Sequence, residues 1–466
     1  MEYINEELIE FNKFLAKSKI SIIGLGVSNI PILEYMYKLG ANVTVFDDRE
    51  KDKIAEDILN KVKEYNFNFY FGKDSLDNLK NFDIIFRSPS CMPTRKELVA
   101  EKERGAIIIT EIEMFMKLFP GKIIGITGSD GKTTTTTLIY EILKNNGYNC
   151  YLGGNIGIPL FTKLNEMKPD DIAVLELSSF QLMRMEISPD ISVITNITPN
   201  HLNIHSSYEE YIDAKKNIFK YQNKDGIVVL NYDNDITREA AKETEGKVVF
   251  FSSKTKLDDG IVLDGNVIKQ CDNKLRKHII NTDKLILRGR HMYENVCTAL
   301  GAIATLVEPE KAIEIIKEFK GVEHRLEFVR ELDGVKWYND SIGSSPTRTI
   351  AGLNSFEERI TLIAGGYDKN LDYGPLAKPI LEKVDNLVLI GQTATKISEA
   401  VKEEAEKQGK DIEIYMCDEF EKAILTAKEV SKSGNIVLLS PASASFDMFK
   451  DFADRGNKFK ELVNKL

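Results

Sequence analysis

The stretch Lys122-Ile-Ile-Gly-Ile-Thr-Gly-Ser-Asp-Gly-Lys-Thr-Thr-Thr135 decides how this chain is read. An apolar, strand-like run enters a glycine turn, and Lys132 and Thr133 then open a helical stretch through Leu138-Ile139-Tyr140. That order suits a triphosphate. Glycines let backbone N–H groups close on phosphate oxygens, and a helix N-terminus adds a favourable dipole. Lys132 is placed to reach the β/γ-phosphates, and the Thr133 hydroxyl to complete a Mg2+ shell. The strict G-x-x-x-x-G-K-[ST] pattern is broken by Ile126, leaving T-G-x-x-G-K-T with Thr127 and Gly128 in the turn. A plain glycine turn before a helix that contains a lysine is the competing reading. The strand–loop–helix context favours ATP.

Outward from that loop, 466 residues are too many for one ordinary core, and three domains are expected. The net charge of −10, with no Lys/Arg stripe, argues against a nucleic-acid partner. Five scattered cysteines contain no C-x-x-C pair, so neither a zinc site nor a disulfide framework is indicated. Residues 1–18 form an acidic amphipathic helix pattern without a signal-peptide layout, and no apolar run has membrane-spanning length. The expectation is a protein of a reducing cytoplasm.

Strand-like runs alternate with helical patterns almost throughout, which predicts parallel α/β domains. The expected strands are 20–25, 42–47, 83–88 and 106–110 in a first segment, with a helix after Asn29. A second segment starts at the phosphate loop and continues through 173–179, 191–197 and 227–231. Between about 237 and 287, short β-prone pieces with Asp-Gly turns suggest a small antiparallel insertion. A third segment has strands at 335–340, 359–365, 386–391 and 435–440. The predicted domains are 1–112, 113–321 and 322–466.

Ligands of open parallel sheets bind beyond the carboxyl ends of the strands. There the middle segment has Glu176, in Glu-Leu-Ser-Ser-Phe-Gln-Leu, and His201, in Asn-Ile-Thr-Pro-Asn-His. With Thr133 they are candidate ligands for one or two Mg2+ ions, although Mg2+ prefers oxygen and His is a less usual partner. Read singly, Glu176 is as often a solvated carboxylate and His201 more often a core histidine. The first segment has Gly24-Leu-Gly26-Val-Ser-Asn29 with Asp47-Asp-Arg49 ending the next strand. This nearly reproduces the dinucleotide fingerprint, with Asn29 at the third glycine, and a structural turn explains it equally well. If functional, it holds a nucleotide diphosphate, with Asp47 or Arg49 reading a ribose or base. In the third segment, Trp337-Tyr-Asn-Asp-Ser341, Ala364-Gly-Gly-Tyr-Asp-Lys369 and Ser440-Pro-Ala-Ser-Ala-Ser-Phe-Asp447 all follow apolar strands. Lys369 is a candidate carboxylate binder, and the Ser/Ala turn a second anion site.

These motifs, in this order over essentially the whole chain, resemble the ATP-dependent Mur ligases of bacterial cell-wall synthesis. The resemblance rests on the phosphate loop, Gly154-Asn-Ile-Gly157, Glu176-Leu-Ser-Ser179, Asn196-Ile-Thr-Pro-Asn-His201, Gly289-Arg-His291, His324-Arg325 and Asn339-Asp-Ser341. Within the family, ELSSFQL at 176–182 and SPASASFDMFKDFADRGNKF at 440–459 are similar to the D-glutamate-adding members. The Asp-Asn-Pro-Arg signature of diaminopimelate-adding relatives is absent.

The resemblance implies a Rossmann-like N-terminal domain and a central P-loop ATPase-like domain whose mostly parallel sheet is joined by a small antiparallel one. A Rossmann-like C-terminal domain would follow. It implies ATP and Mg2+, as two ions, and the small-molecule substrates UDP-N-acetylmuramoyl-L-alanine and D-glutamate, handled by a monomer without nucleic acid or membrane. The nucleotide would be held by Gly128, Ser129, Asp130, Gly131, Lys132, Thr133, Thr134, Asn295, Arg325 and Asp340. Gly26, Val27, Ser28, Asn29, Asp47, Arg49 and Ser88 would hold the UDP-substrate, with Asn155 and Ser178 positioning its acyl group. Ser344, Lys369, Ser445, Phe446 and Phe452 would hold the amino acid. Lys132, Glu176, His201 and Lys215 would carry the chemistry. Lys215, in Tyr211-Ile-Asp-Ala-Lys-Lys-Asn-Ile-Phe219, matches the family lysine that is carbamylated into a metal-side carboxylate, and only register separates it from Lys216. The chain departs from the family pattern at Ser90, Met292, Ser443 and Ile342; the last stands where many D-glutamate-adding members have Lys.

Three other readings compete. A folylpolyglutamate synthase, or a ligase for another amino acid such as L-glutamate, shares the phosphate loop, but a folate ligase has no use for the first domain. An NAD-dependent oxidoreductase leaves the phosphate loop, Glu176 and His201 unexplained. A P-loop ATPase that ligates nothing predicts turnover without an amino-acid requirement.

Overall fold

The computed structural model describes residues 3–466 apart from 27, 55, 200–204, 274, 288 and 370. Val27 and His201, both candidate site residues, thus lie outside the described residues. Three sheets organise the described residues. The first contains β1 Lys19–Ile23, β2 Asn42–Asp47, β3 Asn68–Phe71, β4 Ile84–Arg87 and β5 Ile107–Ile109, ordered β3-β2-β1-β4-β5 and parallel throughout. The strand order reverses between β1 and β4, which opens a crevice beyond their carboxyl ends.

The central sheet has nine strands: β6 Lys122–Thr127, β7 Cys150–Gly154, β8 Ile172–Glu176, β9 Ile191–Ile194, β10 Ile227–Asn231, β11 Lys247–Ser252, β12 Gly260–Asp264, β13 Val267–Asp272 and β14 Leu275–Asn281. Their order is β14-β13-β12-β11-β10-β9-β6-β8-β7. β6 and β8 are buried on both faces, which is why they read as unbroken apolar runs. The expected antiparallel part is β12–β14, and it continues the central sheet through a parallel β11–β12 pairing. β8 and β9 each end three residues before the bound that the sequence predicts. β8 ends at Glu176 because Ser178 caps the helix Ser179–Leu182 in a box closed by Gln181. β9 ends at Ile194 because Thr195 and Asn196 leave the ladder to bond the phosphate loop.

The third sheet runs β15-β16-β20-β17-β18-β19, from β15 Glu327–Leu332, β16 Val335–Asn339, β17 Ile360–Ala364, β18 Val384–Ile390, β19 Glu413–Cys417 and β20 Ile436–Leu439. Only β15–β16 is antiparallel. The chain forms two compact units, residues 1–282 with 294–316, and 283–293 with 317–466. In the first unit one apolar cluster of the described residues reaches both sheets. Phe161 packs edge-on against Phe11 and Tyr35 and lies 6.1 Å from Phe86. Among the described residues, no helix is long and apolar enough to cross a membrane.

Candidate active site

β6 delivers Thr127 to the loop 128–131, which turns into the helix Lys132–Asn145. Gly128 has φ +150° and Gly131 φ +79°. A Cβ on Gly128 would lie 1.9 Å from Thr195 Oγ1, and one on Gly131 2.3 Å from Asn295 Oδ1. Glycine is therefore required where neighbours press on the loop. The end of β9 grips its other side. Ser129 N donates to Asn196 O at 2.9 Å, Asp130 N to Asn196 Oδ1 at 3.0 Å, and Thr195 Oγ1 to Asp130 O.

Two lysines meet inside this frame. Lys132 Nζ donates to Gly128 O at 2.8 Å and Ser129 O at 2.9 Å. Lys215 Nζ, from the helix Tyr208–Lys220, donates to the same Gly128 O at 2.7 Å and to Thr127 Oγ1 at 3.4 Å. Two ammonium groups on one carbonyl oxygen repel. Burial, and then the Lys132 charge, hold Lys215 well below the usual lysine range, against the pull of Asp130 and Glu176. Both effects act toward the neutral amine. Its neighbour Lys216 instead forms an ion pair with Glu243 at 2.6 Å.

Glu176, the last residue of β8, is 1% exposed. Its Oε1 accepts from Asn155 Nδ2 at 2.7 Å, while Oε2 is buried with no hydrogen-bond partner among the described residues. An orphaned carboxylate oxygen beside a phosphate loop suits a cation. No group of three or more His, Cys, Asp or Glu converges among the described residues. A metal here would draw on Glu176, hydroxyls such as Thr133, and groups outside that set.

At the first-sheet crevice, Asp47 is 3% exposed and its oxygens are filled. They accept from Leu25 N at 2.8 Å and, bidentately, from Arg49 Nε at 2.8 Å and Nη2 at 2.7 Å. Burial raises the Asp47 pKa, but the Arg49 and backbone bonds outweigh it and hold the carboxyl below the usual range. Of the two candidate readers of ribose or base, Arg49 is therefore the half-exposed one and Asp47 its anchor. Asn29 replaces the third glycine by tying its Nδ2 to Ile23 O and Gly24 O. Ser88 Oγ meets Ser90 Oγ at 3.0 Å. Ser178 is a helix cap, its hydroxyl engaged with Gln181.

In the second unit, Asp340 is buried and accepts from Ser440 Oγ at 2.7 Å and Leu326 N at 3.3 Å; burial pushes its carboxyl up to about 6. Ser445 is buried, whereas Phe446, Phe452 and Lys369 are exposed, with Lys369 Nζ 5.4 Å from the Phe446 ring centre. Ser344 Oγ donates to Ile342 O at 3.3 Å. Ser443 has a structural reason to be a hydroxyl: its Oγ lies 2.8 Å from both Tyr373 OH and Thr393 Oγ1.

Three groups escape the sequence reading. Tyr211 OH lies 2.9 Å from Ser129 Oγ in the phosphate loop, and its ring faces Lys215 Nζ at 4.7 Å. His205 Nε2 meets Ser179 Oγ at 3.0 Å while its ring stacks on Phe180. Arg455 is 2% exposed and bonds Ser341, Ser443 and Ala444. Its signal was present, since Phe452, Arg455 and Phe459 share one helix face and an arginine there must find acceptors.

Three family models match the chain. These are the Mur ligase MurD-like N-terminal domain at 18–110, the Mur ligase middle domain at 126–303 and the Mur ligase glutamate ligase domain at 324–443. The chain is 49% identical to the UDP-N-acetylmuramoylalanine–D-glutamate ligase of Acetivibrio thermocellus, covering 99% of this chain and 100% of that one. It is 48% identical to the enzyme of the same name from Clostridium novyi, over 98% and 99% of the two chains. Among solved structures, a UDP-N-acetylmuramate-alanine ligase from Thermotoga maritima matches with a TM-score of 0.58 at 20% identity, covering 96% of this chain and 99% of that one. At that identity the likeness speaks to the fold.

Proposed function

Because the chain belongs to the Mur ligase family, we propose that it joins D-glutamate to UDP-N-acetylmuramoyl-L-alanine in peptidoglycan precursor synthesis, driven by conversion of ATP to ADP and phosphate. One observation carries this reading: two lysines share Gly128 O inside a loop shaped for phosphate, beside a buried carboxylate with an open oxygen. A carboxylate does not acylate an amine, because oxide cannot leave. Its oxygen attacks the γ-phosphorus and ADP departs; the amine nitrogen then attacks the acyl carbon, loses a proton, and phosphate leaves with the former carboxylate oxygen. Anions must approach one another in both steps, so dense positive charge is the principal requirement.

Lys132 supplies that charge at the β/γ-phosphates, and the N–H groups of residues 128–134 cradle them. Asn295 holds the nucleotide beside Gly131. Arg49, fixed by Asp47, and the turn 26–29 with Ser88 bind the uridine diphosphate, while Asn155 and Ser178 orient the acyl group. In the second unit Arg325 and Asp340 are assigned to the nucleotide, and Ser344, Lys369, Ser445, Phe446 and Phe452 to glutamate. The domains 1–112, 113–321 and 322–466 thus take the UDP-substrate, ATP and the amino acid.

Thr133, Glu176, His201 and a carbamate on Lys215 would hold Mg2+, as two ions, which neutralises phosphate charge when bound. Carbamylation needs a neutral amine: nitrogen attacks CO2, loses a proton and becomes an N-carboxylate. Burial and Lys132 favour that form of Lys215. ATP and the UDP-substrate are nucleotides of the cytoplasm, where the reaction is assigned to a monomer. The test is ADP release with UDP-N-acetylmuramoyl-L-alanine, comparing D-glutamate, L-glutamate, other amino acids and none. D-Glutamate alone should support turnover. Equal ADP release without any amino acid overturns the reading.

A further inference from the structure

Beyond the phosphate loop lies a polar network that none of the assigned residues includes. Asn231 ends β10 and is 3% exposed. Its Nδ2 donates one hydrogen to Thr195 O and the other to Glu294 Oε1, both at 2.9 Å, and its Oδ1 accepts from Asp233 N at 2.9 Å. Two donors and one acceptor are used, which is what a primary amide offers and neither a carboxylate nor an aliphatic side chain can. Glu294 lies in the helix Arg290–Ile303 and takes its second hydrogen bond from the buried Ser253 Oγ at 2.8 Å. Ser253 N in turn donates to Asp233 Oδ2 at 2.7 Å, so the ends of β10 and β11 close into one plate with Glu294.

Thr195 connects this plate to the phosphate loop. Its main chain is held on both sides, N donating to Thr127 O at 3.0 Å and O accepting from Asn231. Its hydroxyl occupies the space against Gly128 and bonds Asp130 O. The residue after Glu294 is Asn295, whose side chain packs against Gly131 and accepts from Thr135 Oγ1 at 3.5 Å. One helix therefore reaches the loop twice: directly at Gly131, and at Gly128 and Asp130 through Glu294, Asn231 and Thr195.

We propose that Asn231 and Glu294 are positioning residues for ATP, which hold the Thr195 side of the phosphate loop in register with the Asn295 side. Neither touches the nucleotide. Their effect is to keep the loop closed to the width of a phosphate before the ligand arrives, so that binding need not order it. The inference rests on the nucleotide reading of this loop.

The test is calorimetric titration of the full chain with the non-hydrolysable analogue adenylyl imidodiphosphate and, separately, with UDP-N-acetylmuramoyl-L-alanine. Asn231→Asp loses both donors and sets a carboxylate against Glu294 and Thr195 O. Glu294→Ala removes only the acceptor and serves if Asn231→Asp does not fold, which melting curves report. Each should weaken the analogue by about tenfold or more, the scale of one or two lost buried hydrogen bonds. Glu294→Gln, which still accepts from Asn231, should restore most of that affinity. Binding of the UDP-substrate should be unchanged in all three. Wild-type affinity for the analogue in Asn231→Asp and Glu294→Ala, or equal loss of both ligands, overturns the proposal. Failure of the wild-type chain to bind the analogue sinks the nucleotide reading itself, and this inference with it.

Discussion

Two glycine turns in the first unit follow the first strand of their sheets and open helices, yet they differ electrically. Around the turn after β1 the charges cancel, because Arg49 pairs bidentately with Asp47, Asp47 also takes Leu25 N, and the Asn29 amide caps strand carbonyls. Around the turn after β6 the described bonds are of another kind. Lys132 and Lys215 lean on main-chain carbonyls, and the buried carboxylate of Glu176 keeps an oxygen open among the described residues. A similar local pattern thus makes a rigid rim in one place and a site that stabilises phosphoryl charge in the other. What separates them is the acceptor that the described bonds reach, a carboxylate in the first turn and main-chain oxygens in the second.

The largest effect that would test this contrast is at Lys132. Lys132→Ala should lower kcat by about a thousandfold or more, since a main counter-charge of the transferring phosphoryl group is gone. Phosphate release with all substrates present measures it, and near-normal turnover would end the distinction between the two loops. Lys215→Ala should be almost as inactive, but acetate or another short carboxylic acid should restore part of the activity by standing in for the carbamate. No rescue would remove the carbamate from the account. Asp47→Ala frees Arg49 and Leu25 N, and should raise the KM for the UDP-substrate about tenfold, with the KM for ATP unchanged. An increase in the ATP value would mean that the first turn is not the separate site the comparison requires.

The smallest effect concerns the joint between the two regions. Glu111 begins the helix Glu111–Leu118, between β5 and β6, and its Oε1 accepts from Leu160 N and Phe161 N. Burial pushes its carboxyl up to about 7, despite those two N–H groups, which favour the charged form. The folded protein therefore binds this proton more tightly than the unfolded chain. The stability it contributes is full below the usual 4.5 and is lost as pH rises through 7. Glu111→Gln keeps an acceptor for both N–H groups without the charge. It should melt higher than wild type above pH 7, by at most about 3 kcal/mol, and the gap should close toward pH 5. Melting curves from pH 5 to 8 read this directly; a gap independent of pH would remove Glu111 from the account.

Which strands were legible follows from where they sit. β2 and β10 have the predicted bounds, and both lie inside their sheets, where burial on two faces produces continuous apolar runs. The four strands that the pattern does not reveal, β3, β7, β15 and β19, all stand at sheet edges. There, residues such as Asn68, Glu327 and Glu413 are exposed or half-buried, and the two glycines of Cys150–Gly154 hide β7. Site residues divide in a similar way. Lys132, Glu176 and Lys215 could be picked out because a loop, a strand end and a motif announce them. Tyr211, Thr195, Asn231 and Glu294 could not, because each matters only through a partner distant in sequence.

By itself the sequence determined the α/β class, the phosphate loop and the family, since those depend on short-range order: apolar period, glycine placement and motif succession. Only the tertiary structure decided which charges are already spoken for. Pairing is a property of distance in space, and it brings Lys215 to the Gly128 carbonyl, across 87 positions of chain, while closing Arg49 onto a carboxylate two residues away.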